Sequence, residues 1–235
     1  MHDQQPVRHQ PVRPDREQPA WALIGPGIAA LTGLYLLTVT LGSGEFLQRA
    51  LGLTSQNTLL ATVAYLVSAV VASAAGVALG RRFLTGVSVP AVMVMIVGVL
   101  VVAFAAGTAM LLGGEVLSGL GAGGVAGATA ASAWRTGRRR GAVIAVLAGL
   151  GALALIAGPF LGRALAEVLA WRWAYLIAVP FLLLGLIVTA VAGVILFVTR
   201  QRAQASAPGV PYPHPQAGPQ PWSAPPPPGH RGPEH

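Results

Sequence analysis

The chain has 235 residues, of which 54% are hydrophobic and only 9% charged, where a soluble domain carries about a quarter charged residues. Fifteen arginines, no lysine and seven acids give a net charge of +8, with five histidines and no cysteine. The missing thiols exclude disulfides, thiolate metal sites and cysteine nucleophiles, and the placement of the arginines excludes the nucleic-acid partner that +8 would suggest in a soluble protein.

Residues 1–20 are polar and punctuated by proline, with a short tandem repeat, Gln5-Pro6-Val7-Arg8 and Gln10-Pro11-Val12-Arg13. They lack the apolar region of a signal peptide and read as a disordered arm. Six stretches without Asp, Glu, Lys, Arg or His follow, at 22–41, 59–79, 87–112, 116–134, 141–162 and 174–199. A bilayer core of about 30 Å takes about 20 helical residues, and each stretch is near that length. Nothing alternates in the manner of barrel strands, so the backbone must satisfy itself as helix. Residues 200–235 hold 11 of the 19 prolines, including Pro225 to Pro228, and read as a disordered or polyproline-like tail. A flexible tail is the commoner use of such a composition, and docking into an aromatic groove the sharper one.

The expected fold is therefore an all-α integral membrane protein, a six-transmembrane-helix bundle over residues 21–199 between two arms. The fourth stretch is the weakest, being mostly Gly, Ala and Ser, and charge placement supports it. With six spans and a cytoplasmic N-terminus, twelve arginines fall inside and only Arg49, Arg163 and Arg172 outside, as positive-inside orientation requires. Both termini are expected in the cytoplasm. Trp21, Trp134, Trp171, Trp173 and Tyr175 lie at span ends, where amphipathic rings settle.

Within the spans, Gly119, Gly123, Gly127 and Ala131 recur every four residues, and Ala64, Ser68, Ala72, Gly76 and Gly80 do the same. Such ridges let helix backbones approach closely. The run Gly119-Leu120-Gly121-Ala122-Gly123-Gly124 is superficially a dinucleotide loop, but that loop follows a strand, and this one lies inside an apolar span. No cofactor is expected. Arg138-Arg139-Arg140 reads first as a topology determinant, a role compatible with contact to acidic lipid headgroups. Gly158-Pro159 predicts a kink in the fifth span. The histidines all lie in the arms, leaving Glu115 as the acid nearest a span. Desolvated, it would be a proton or solute coupling group; at the interface it is a solvated helix-start acid, and its place before the fourth span favours the second.

In order along the chain, these segments resemble the N-terminal six-helix half of the major facilitator superfamily, most closely its fourteen-helix drug:proton antiporter branch. Leu47-Gln48-Arg49-Ala50-Leu51-Gly52-Leu53-Thr54 is similar to that family's first outer loop, and Ala64-Tyr65-Leu66 to its second helix. Gly119 to Gly123 resembles the helix-four motif, Gly158-Pro159-Phe160-Leu161-Gly162 the antiporter motif, and Trp171 to Pro180 the approach to helix six. The resemblance makes Gly76, Arg81, Gly119, Gly121, Gly123, Gly158, Pro159 and Gly162 structural motif positions. The chain departs at three charged positions: Gly80 replaces the acid after helix two, Glu115 the arginine that opens the helix-four motif, and Leu36 the acid of helix one.

The resemblance implies a transporter, and the all-arginine, Ala/Gly/Val-rich usage points to a bacterial source and hence a plasma membrane. One six-helix half would rebuild a twelve-helix shell as a homodimer, since the two halves of the family are parallel repeats. Tyr35, Thr38, Thr40 and Tyr65 are the expected polar contacts of an apolar cavity, which would suit a hydrophobic or cationic small solute. The alternative is a transporter half that scaffolds or regulates a tail partner without transport. Enzymatic work is not expected, because the spans hold no Asp, Glu, His or Cys.

Overall fold

The computed structural model describes residues 19–81 and 83–205. Both proline-rich arms, as far as 1–18 and 206–235, lie outside the described residues. A short 3-10 turn, Ala20–Leu23, leads into α1, Ile24–Leu51. The other long helices are α2 (Ser55–Gly80), α3 (Leu84–Ala103), α4 (Thr108–Ala133) and α5 (Arg140–Val168). The last crossing is divided into α6, Trp171–Leu176, and α7, Ala178–Ala205. Six helical segments are long and apolar enough to cross a membrane, the all-helical architecture expected of the composition. Residues from Leu196 onward form a second unit, whose described part is the end of α7.

Short connections make successive helices antiparallel, and two arginines tie the ends. Arg172 Nε donates to the Ala103 carbonyl at 3.0 Å, joining the start of α6 to the end of α3. At the opposite end Arg135 Nη1 donates to the Arg81 carbonyl, joining the last turns of α4 and α2. Each bond satisfies a carbonyl at a helix terminus that has no partner within its own helix.

α4 occupies the middle. One side of it lies against α2 so closely that a Cβ at Gly119 would meet the Tyr65 carbonyl, at Gly123 the Ala69 carbonyl and at Gly127 the Ser73 carbonyl. The opposing Gly76 and Gly80 would clash with Gly124 and Ala128 in the same way. Its other side meets α3, where a Cβ on Gly121 would lie 2.6 Å from Met95 and one on Gly114 2.8 Å from the Val102 nitrogen. The small-residue ridges of the sequence are thus backbone-to-backbone contacts, held by dispersion because lipid offers no hydrophobic drive between helices.

A second seam joins α1 to α5. Gly158 faces the Thr38 hydroxyl, Gly162 faces Val39, and Gly42 faces the Pro159 carbonyl. Pro159 sits inside α5, which stays helical beyond it to Val168. Gly25 of α1 approaches Gly185 and Thr189 of α7, and Gly193 of α7 approaches Thr85 of α3.

Several boundaries differ from the sequence expectation. The third stretch, 87–112, contains a corner: α3 stops at Ala103 and α4 begins at Thr108, after Gly107 in extended conformation. No charge or proline marks this turn, because Phe104-Ala105-Ala106-Gly107 is as apolar as the helices around it. α1 runs on through the segment matched to an outer loop and ends at Gly52 (φ 63°), whose N–H bonds to the Gln48 carbonyl. An exposed Arg49–Glu45 pair at 3.3 Å lies on this extension. Helix also continues into the expected tail as far as Ala205, since Gln201-Arg202-Ala203-Gln204-Ala205 are good helix formers and the next proline is Pro208. The break at Ile177 follows from Pro180, which offers no N–H to the Leu176 carbonyl.

Candidate functional site

The corner at 104–107 decides the site, because it moves Glu115 from the edge of α4 into its second turn. There its side chain is 2% exposed, not a solvated helix-start acid. α4 presents it toward α1 and α6 on the flank between its two glycine faces. Thr40 Oγ1 of α1 donates to Glu115 Oε1 at 3.1 Å, and Tyr175 OH of α6 reaches the same oxygen at 3.4 Å. The two hydroxyls are 2.9 Å apart. Thr40 Oγ1 also lies 3.3 Å from the Leu36 carbonyl, one turn earlier on α1.

This geometry accommodates two protonation states with one set of heavy atoms. An ionised carboxylate accepts the Thr40 hydrogen while Tyr175 donates to Thr40 or to Oε1. A neutral acid donates to Thr40 Oγ1, and Thr40 turns its own hydrogen to the Leu36 carbonyl or to Tyr175. A hydroxyl is both donor and acceptor, so each state keeps its hydrogen bonds. Among the described residues the ion pairs are Arg49–Glu45 and Arg163–Glu167, both exposed, and neither reaches Glu115. A carboxylate buried without a cation is expensive, which sets this residue apart from the other described acids.

Tyr175 is the partner that sequence reasoning missed. With Trp171 it reads as an interfacial aromatic, yet Tyr175 is 1% and Trp171 5% exposed, stacked edge-to-face at 6.3 Å. Trp21, Trp134 and Trp173 are exposed as expected. The signal available was the spacing: Trp171, Ala174 and Tyr175 fall on one face of α6, and all three are buried.

The expected cavity contacts separate into different roles. Tyr35 OH donates to the Ala174 carbonyl at 2.9 Å and lines a crevice of about 370 Å³ with Thr32, Leu161, Leu165 and Phe181. Tyr65 OH donates to the Gly33 carbonyl at 2.7 Å, binding α2 to α1. Thr38 returns its hydroxyl to its own helix, at the Tyr35 carbonyl, 2.9 Å away. Two further crevices lie along α1, one of about 270 Å³ against α4 and α5 and one of about 550 Å³ against α5 alone. They share Gly27, Leu31 and Leu147 and are lined almost wholly by apolar side chains. Thr38, Thr40, Tyr65 and Glu115 line none of these crevices. Of the motif positions, Gly76, Gly119, Gly121, Gly123, Gly158 and Gly162 are close-approach points, and Arg81 caps α2 with an exposed side chain.

A family model described as Major Facilitator Superfamily matches residues 21–226. Over 92 residues the chain is 34% identical to azole resistance protein 1 of Saccharomyces cerevisiae, covering 38% of this chain and 15% of that protein. Over 143 residues it is 31% identical to the MFS thioclapurine efflux transporter tcpA of Claviceps purpurea, covering 58% of this chain and 25% of the relative. The chain therefore spans at most a quarter of the length of these relatives. It belongs to the Major Facilitator Superfamily, and its membrane-helix, transporter-like character rests on that membership.

Proposed function

We propose that this chain is the working half of a small-solute exporter in which Glu115 carries the coupling proton. The observation that supports it most is the buried carboxyl with two hydroxyl partners and no ion pair among the described residues. While the site is closed the carboxyl holds its proton through Thr40; when the helices separate and water enters, the charged form is solvated and the proton leaves. The relatives are named for azole resistance and thioclapurine efflux, which supports export of small organic molecules. The apolar crevices along α1 suit a hydrophobic or lipophilic cationic solute. In this reading a second copy supplies the other six helices, both termini face the cytoplasm, and the membrane is a bacterial plasma membrane.

The test is efflux from proteoliposomes under an imposed pH gradient. Wild type should respond to the gradient, and Glu115→Gln should transport without responding, since glutamine keeps shape and hydrogen bonding but does not ionise. An unchanged response in Glu115→Gln would overturn the proton role, and no movement of any solute in a broad panel would overturn transport. A chain that stays monomeric in nanodiscs while transporting would overturn the homodimer.

A non-transporting scaffold is the second reading. It is favoured by Gly80 and Leu36 standing where the resembled family keeps acids, and by the separation of Glu115 from the apolar crevices. A partner captured by the full chain and lost on deletion of residues 206–235, with no solute movement, would select it.

A further inference from the structure

We propose that the crevice between the Arg81 end of α2 and the Arg135 end of α4 holds the phosphate headgroup of an anionic phospholipid. The crevice measures about 490 Å³ and is lined by Val77, Ala130 and Ala131 below, with Arg81, Trp134 and Arg135 at its mouth. Its floor is apolar and its rim cationic, the order of surfaces that a lipid presents from acyl chain to phosphate.

Both guanidinium groups are exposed and available. Arg135 spends one N–H on the Arg81 carbonyl, which fixes its fork at the rim and leaves its other donors free. The Arg81 side chain has no hydrogen bond or ion pair among the described residues. The described acids do not compete: Glu45 and Glu167 lie near the C-terminal ends of α1 and α5, and Glu115 near the N-terminal end of α4. All three positions belong to the opposite end of the bundle. Guanidinium binds phosphate through paired N–H donors, with geometry an ammonium lacks. Trp134, 64% exposed with the Arg140 guanidinium 5.8 Å from its ring centre, is placed as an interfacial ring beside the headgroup. A free phosphate would make no use of Val77, Ala130 and Ala131, which is why the bilayer is the source.

The experiment reconstitutes the full chain in vesicles and measures its association with spin-labelled phosphatidylglycerol relative to spin-labelled phosphatidylcholine. The wild type should prefer phosphatidylglycerol, and Arg81→Gln and Arg135→Gln should each lower that preference about five-fold. Arg81→Lys should fall between, keeping the charge without the fork. The double variant Arg138→Gln/Arg140→Gln, outside the crevice, should lose less than either single one. Arg135→Gln also removes the bond to Arg81, so Arg81→Gln carries the test where melting shows Arg135→Gln to be unfolded. Equal preference in Arg81→Gln and wild type would overturn the proposal. So would a preference abolished by millimolar inorganic phosphate, which indicates a free-anion site, or one that only the double variant removes, which indicates diffuse charge.

Discussion

α4 and α5 are nearly equal in length and both rich in glycine, but they use their glycines differently. Just over half of the membrane stretch of α4, 56%, is buried, against 11% of α5. α4 has glycines on two sides, one against α2 and one against α3, and the intervening flank carries Glu115. α5 gathers Gly151, Gly158 and Gly162 into one stripe against α1 and turns Val146, Leu153, Ile156 and Phe160 outward. A helix packed on protein on several sides must be small, and a helix packed mostly on lipid is free to be large. Composition here reports the partner more than the helix.

The largest difference is expected between enlarging a glycine of α4 and truncating a lipid-facing leucine of α5. Gly123→Leu puts a side chain where the Ala69 carbonyl already lies and should cost about 3 kcal/mol or more, read as loss of monodisperse protein and of thermal stability. Leu153→Ala, on the outward face of α5, should change stability by less than about 0.5 kcal/mol. Equal damage from the two would remove the distinction. The α5 seam should be next in sensitivity: Gly158→Ala drives a methyl onto the Thr38 hydroxyl and should cost about 2 kcal/mol, part of it recovered by Thr38→Ala in the same chain. A double-variant melting cycle measures that coupling.

Smaller effects sharpen the difference between buried and lipid-facing aromatics in α6. Tyr175→Phe removes one hydroxyl from the carboxyl site and should lower stability by about 1 kcal/mol, since Thr40 and Glu115 still bond each other. Trp173→Phe, on the exposed side of the same helix, should leave the melting temperature unchanged. One small effect has the opposite sign. Ala170 adopts φ 152° and ψ 154°, a conformation suited to glycine. Ala170→Gly should relieve that strain and gain about 0.5 kcal/mol after the added unfolded-state entropy of glycine, seen as a slightly higher melting temperature.

The number of spans and the ridge glycines were legible because lipid imposes length and small residues leave a four-residue rhythm. The corner at 104–107 was not, because a turn among Phe, Ala and Gly at the membrane edge bears no charge, cap or proline. The corner also sets the position of Glu115: before a span beginning at 116 it reads as solvated, whereas in the second turn of α4 it is buried. Tyr175 was hidden for a different reason. Beside Arg172 and Trp173 it has the composition of an interfacial girdle, and only the packing of α6 against α5, α3 and α1 turns its hydroxyl inward to Thr40 and Glu115.

The small surface of α4 has a consequence for how the chain is made. Among the six spans it is the least apolar, and it carries a carboxyl in its second turn. Partition from an aqueous channel into lipid rewards bulky apolar side chains and penalises an acid. α4 gains little from entering lipid alone, whereas α2 and α3, just before it in the chain, gain much. A nascent chain in which α2 and α3 are already in the membrane offers α4 two glycine-matched backbones to fit between and, from α1, a hydroxyl for its acid. The fourth helix is thus expected to remain with the insertion machinery until its neighbours are in place, and to enter the membrane as part of a helical group.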